Sequence, residues 1–123
     1  MTAPQMICHL TDAFRGLMGE RLPTSPLPVV PRWRQRLIKL IALKSPLPWP
    51  HGVRTPRDAD QERGGTPPGD FAMDVAELAR VCERFSTTKA VRAPHFLFGP
   101  LTELEWGHWG YRHMDHHLRQ FGV

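Results

Sequence analysis

The chain has 123 residues, 41% hydrophobic and 23% charged, which suits one soluble globular domain over residues 1–123 with a single modest core. Residues 1–10 show no leader pattern, Leu37 to Leu43 is interrupted by Lys39 and too short to span a bilayer, and Cys8 and Cys82 make no disulfide framework. A reducing cytoplasm, with no membrane partner, is therefore the expected setting. The net charge of +4 permits nucleic-acid binding, but only Arg32, Arg34, Arg36 and Lys39 are dense and no zinc-finger or arginine–aromatic repeat accompanies them, so nucleic acid is disfavoured.

The first helix is predicted from about 3 to 19. Thr2 suits its N-cap, Pro4 its first turn and Gly19 its stop. At 100° per residue, Gln5, Met6, His9, Ala13, Gly16 and Leu17 share one face, so His9 points at whatever this helix packs on. "LPTSPLPVVP" (22–31) carries too many prolines for a regular element. A short helix follows over about 32–43, with Trp33, Leu37, Leu40 and Ile41 as its apolar stripe and the arginines mostly on a solvated face.

Residues 45–70 have neither helical nor strand period. A loop of this length in a compact domain is usually functional or packed on the surface. Trp49 between prolines predicts an ordered wrap rather than a flexible linker. The next helix is predicted over about 70–86, with Phe71, Val75, Leu78, Ala79, Cys82 and Phe85 at helical spacing. "TTKAVRAPHFLFGP" connects it to a last helix over about 102–121, opened by the capping box Thr102–Glu105 and stopped at Gly122. No segment alternates like a strand, so the expected class is all-α, with the helices packed as a bundle.

On the last helix, Trp106, Trp109, Gly110, His113, His117, Gln120 and Phe121 fall on one face. His113 and His117 stand one turn apart on that apolar stripe, where unpartnered imidazoles are costly to bury. Two readings fit the pair: satisfied core histidines, or ligands of one divalent transition metal. His9, on the core face of another helix, shifts the balance towards metal, because three histidines from two helices make a facial site with open positions. His116 lies to one side of the pair and Asp12 one turn after His9; both are candidates for orienting the ligands. Cys8 lies about 100° round the helix from His9 and reads as a packing residue. The metalloprotease motif does not fit, since Met114 stands where a general-base Glu follows the first histidine, and "GGTPPG" lacks the lysine and preceding strand of a phosphate loop.

"CHLTDAFR" (8–15) and "HMDHHLRQF" (113–121) resemble the DinB-like superfamily of metal-binding helical bundles, whose fold is a DinB/YfiT-type four-helix bundle. "SPLPWPHGVRTP", "GGTPPGDF" and "FGPLTELEWGHWGYRH" further resemble one of its subfamilies, domain of unknown function 1569. The similarity runs over nearly the whole chain. The resemblance implies that His9, His113 and His117 bind a divalent metal, zinc or nickel by the preference of imidazole ligands. Characterised relatives imply thiol chemistry: thiol-dependent S-transferases and a mycothiol-dependent isomerase, in which the metal holds a small thiol as thiolate. A metal-dependent transfer of a low-molecular-weight thiol to a small electrophile is therefore expected, with a non-catalytic metal-binding or protein-interaction module as the alternative. Trp106 and Trp109 are candidates for the pocket wall.

In the family a whole helix precedes the one that carries the first histidine, and here His9 stands near Met1. A groove near Met6, Leu10, Leu17 and the Trp106 face is the expected consequence, and with it a homo-oligomer or marginal stability.

Overall fold

The computed structural model describes residues 1–53, 55–88 and 93–123. The connector expected over 87–100 falls partly on residues 89–92, outside the described residues. Among the described residues the protein is all-α, with four helices and no strand: α1 (Ala3–Leu17), α2 (Arg32–Lys39), α3 (Phe71–Thr87) and α4 (Glu103–Arg119). This agrees with the DinB/YfiT-type four-helix class. Among the described residues no helix is long and apolar enough to cross a membrane. The chain divides into two compact units, residues 1–26 with 54–92 and residues 27–53 with 93–123.

The first unit is built on α1 and α3. Thr2 caps α1 as expected, and its neighbour completes the cap: the Thr2 hydroxyl accepts from the Gln5 N–H, and the Gln5 amide oxygen accepts from the Thr2 N–H at 2.7 Å. Asp70 caps α3 by accepting from the Met73 N–H at 3.0 Å. The two helices meet through Leu10 and Val81, both without accessible surface, and through an edge-to-face pair of Phe14 and Phe85 at 4.8 Å. The packing faces are rotated from the expected ones. On α1 every residue from Met6 to Asp12 is buried while Gly16 is exposed. On α3 the buried stripe is Leu78, Val81 and Phe85; Phe71, Val75 and Ala79 face water. Of the residues named for the expected groove, Met6, Leu10 and Trp106 are buried and Leu17 is half-buried.

The loop of this unit is ordered by one carboxylate. Asp12, whose side chain has no accessible surface, accepts from Arg21 Nη1 at 2.7 Å, the Thr66 N–H at 2.7 Å, the Thr66 hydroxyl at 2.8 Å and Gln61 Nε2 at 3.1 Å. Arg21 also donates to the Gly64 carbonyl. Between these anchors a 3-10 turn, Arg57–Ala59, leads into Asp60, whose carbonyl accepts from the N–H groups of Arg63, Gly64 and Gly65. Gln61 and Thr66, within the segment without helical or strand period, are thus tied to α1.

The second unit contains α2 and α4. The helix at α2 is shorter than expected and widens into a π-helical turn at Leu40–Lys44. It is held through Gln35, Lys39 and Leu43. Gln35 donates to the Phe96 carbonyl, Lys39 pairs with Glu105 at 3.2 Å and donates to the Pro100 carbonyl, and Leu43 is buried. The expected apolar stripe is therefore turned outward. Trp33 is 64% exposed, Leu37 50%, Leu40 55% and Ile41 50%, with Arg34 stacked on Trp33. Trp49 is the anchor its setting predicted: its indole N–H donates to the Ala42 carbonyl at 2.8 Å, and its ring lies against Phe98. Arg112 of α4 donates to the carbonyls of Ser45 and Leu47 and so secures the same loop.

Before α4 the chain makes a tight turn in which His95 and Gly99 exchange both backbone hydrogen bonds. Gly99 has φ +69°, a left-handed backbone conformation that glycine adopts without strain and other side chains do not. The His95 ring stacks on Phe98 at 4.5 Å and faces Trp106 and Trp109, and its Nδ1 accepts from the Leu97 N–H at 3.1 Å. Burial lowers its pKa from 6.5 to about 4. The unfolded chain therefore takes up this proton first as pH falls, and the stabilisation present above pH 6.5 is lost on the way down to about pH 4. The loss attributable to this one ring is roughly 3 kcal/mol. A pH series of urea unfolding is expected to show it, and His95→Asn, which keeps an acceptor for Leu97 without an ionisable ring, is expected to flatten that part of the profile.

Candidate metal centre

His9 enters from α1. Its Nδ1 stands 2.6 Å from the Ala59 carbonyl oxygen. A carbonyl only accepts, so Nδ1 carries the proton and Nε2 bears the lone pair. Burial lowers the His9 pKa, opposed by the Ala59 bond and by the charges of Asp12 and Asp60; a neutral ring is what a ligand role requires. Asp12 is not bonded to His9 but stands one step behind it, since it holds the loop that presents Ala59.

α4 supplies His113 and His117 from successive turns, their ring centroids 4.9 Å apart. His113 is buried and packs on Trp109 at 4.7 Å and on Trp49 at 6.0 Å. Trp106 and Trp109 are both buried, 6.0 Å apart and edge-to-face, and of the two it is Trp109 whose ring lies against His113. Trp49 is a contact that the sequence reading did not assign to the histidines; its placement between prolines was the only signal. His116 lies edge-to-face with His117 at 5.0 Å, 5.2 Å from the His51 ring, and its Nε2 stands 3.0 Å from Gln120 Nε2.

His9, His113 and His117 each offer one imidazole nitrogen, and these three atoms lie within 4.8 Å of one another, a group able to hold a metal ion. All three donors are neutral-capable imidazoles, a set that suits divalent late transition metals better than magnesium or calcium.

Neither cysteine belongs to this group. Cys8 is buried and its thiol donates to Asp74 Oδ2 at 3.7 Å. Burial, then the Asp74 charge, raise its pKa to about 11, so it remains a thiol at neutral pH; burial also raises Cys82. Both cysteines are expected to resist iodoacetamide at pH 7.5 in the native protein and to react once it is unfolded, with mass spectrometry as the readout.

No curated protein and no solved structure matches the chain. One family model, described as protein of unknown function (DUF1569), matches residues 35–122, a span that takes in α2 from Gln35 onward, α3 and α4 with His113, His116 and His117 but does not reach His9. On that match, which covers well over half of its length, the chain belongs to the DUF1569 family.

Proposed function

We propose that this protein is a divalent-metal-dependent enzyme that transfers a low-molecular-weight thiol to a small electrophile. The observation that carries the reading is the group of three imidazoles, His9, His113 and His117, which would hold zinc or nickel and leave further coordination positions open. When bound, the ion would act as a Lewis acid that lowers the pKa of a small thiol and raises its thiolate fraction at neutral pH. The chain's own residues orient the ligands. The Ala59 carbonyl fixes the His9 tautomer, and Trp109 and Trp49 hold the His113 ring from two sides. Trp106 and Trp109 exclude water behind the pair.

The test is a panel of small thiols and electrophiles with zinc- and nickel-loaded protein, with thioether product measured by mass spectrometry. Metal-dependent product, lost with His113→Ala, is expected. Product formation no faster than in protein-free controls across the panel would contradict catalysis. In cobalt-substituted protein, a thiol-dependent charge-transfer band is expected; a spectrum indifferent to thiol favours the second reading. That second reading, a metal-binding interaction module, draws on the outward stripe of Trp33, Leu37, Leu40 and Ile41, which is large for an unpartnered surface.

A further inference from the structure

The geometry points to a second divalent-cation site, formed by His51 and His116 with Gln120 as its third donor. His51 belongs to the proline-rich loop anchored by Trp49, and the Trp49 ring also lies 6.0 Å from that of His116. The two imidazoles are 5.2 Å apart with their planes 35° from parallel. Gln120 Nε2 stands 3.0 Å from His116 Nε2 and 3.4 Å from His51 Nδ1. An amide nitrogen has protons and no usable lone pair, so it donates to both rings. Both ring nitrogens therefore direct lone pairs at one small region, and the ring protons sit on His116 Nδ1 and His51 Nε2.

Two imidazole lone pairs aimed at a common point are the donor pair a late first-row divalent ion takes. Rotation about the terminal torsion of Gln120 replaces its N–H donors with an oxygen ligand, so the residue that bridges the rings without metal joins them with it. His116 of α4 and Gln120, its C-cap, stand four apart, the spacing His113 and His117 use, and the two sets share no residue. His51 and Gln120 are exposed, so water would complete the coordination and the ion would exchange readily. Zinc, nickel and copper fit this donor set; magnesium and calcium, which require oxygen cages, do not.

The experiment is equilibrium dialysis of the full chain against zinc and nickel, with bound metal measured by elemental analysis and folding checked by circular dichroism. A weakly held equivalent, removed by gel filtration, is expected. Loss of an outer partner already costs a metal site about tenfold or more, so His51→Ala and His116→Ala should each weaken this equivalent by at least that factor. Gln120→Glu, which supplies a charged oxygen, should tighten it. The equivalent should persist in the His113→Ala, His117→Ala double variant, which separates its fate from that of the three-histidine group. Absence of any weak equivalent, or one indifferent to His51→Ala and to Gln120→Glu, would overturn the proposal.

Discussion

Replacement of Asp12 by alanine is expected to destabilise the protein by about 3 kcal/mol, among the largest losses from any single polar side chain. The carboxylate is fully buried and four donors converge on it from Arg21, Gln61 and Thr66. Its removal strands the Arg21 guanidinium and the Thr66 N–H together. Arg21 keeps some access to water, which holds the loss near the lower end for a broken buried pair. Asp115→Ala is the control. Asp115 pairs with Arg119 at 2.8 Å on the surface of α4, where such pairs contribute less than about 1 kcal/mol. Urea midpoints of the two variants should differ clearly. Asp12→Asn, expected to remain folded at a cost of its own, should also weaken metal binding, because the loop that Asp12 holds carries the Ala59 carbonyl behind His9.

The larger effect on binding is expected from the ligands themselves. His113→Ala and His117→Ala should each lower the affinity for zinc or nickel by about a hundredfold or more, since even an outer partner of a ligand is worth ten- to a hundredfold. His9→Ala should do the same. Calorimetric titration measures this. His117→Ala should cost little stability, because that ring is only half-buried, while His113→Ala opens a gap beside Trp49 and Trp109.

Much of this was legible in the chain. The capping box at Thr102 and the N-cap at Thr2 follow from local residue types, and the helix count and the face shared by Trp106, Trp109 and His113 follow from local periodicity. The facing of α2 was not legible. Its apolar stripe read as core, yet Gln35 and Lys39 hold the helix by hydrogen bonds from its polar side, and no local pattern announces that choice. Nor was the work of Asp12, since its partners Gln61 and Thr66 lie about fifty residues away across a segment with no period to read. At the site, the spacing of His113 and His117 gave the pair directly, whereas the Ala59 carbonyl on His9 is a backbone atom with no sequence signature.

The metal content of the protein after gel filtration, following incubation with zinc or nickel, tests the central claim most directly. About one tightly held ion per chain is expected in the wild type and none in the His113→Ala, His117→Ala double variant. A wild-type protein that emerges without metal, or a double variant that retains it, would contradict the assignment of His9, His113 and His117 as the ligands of one ion.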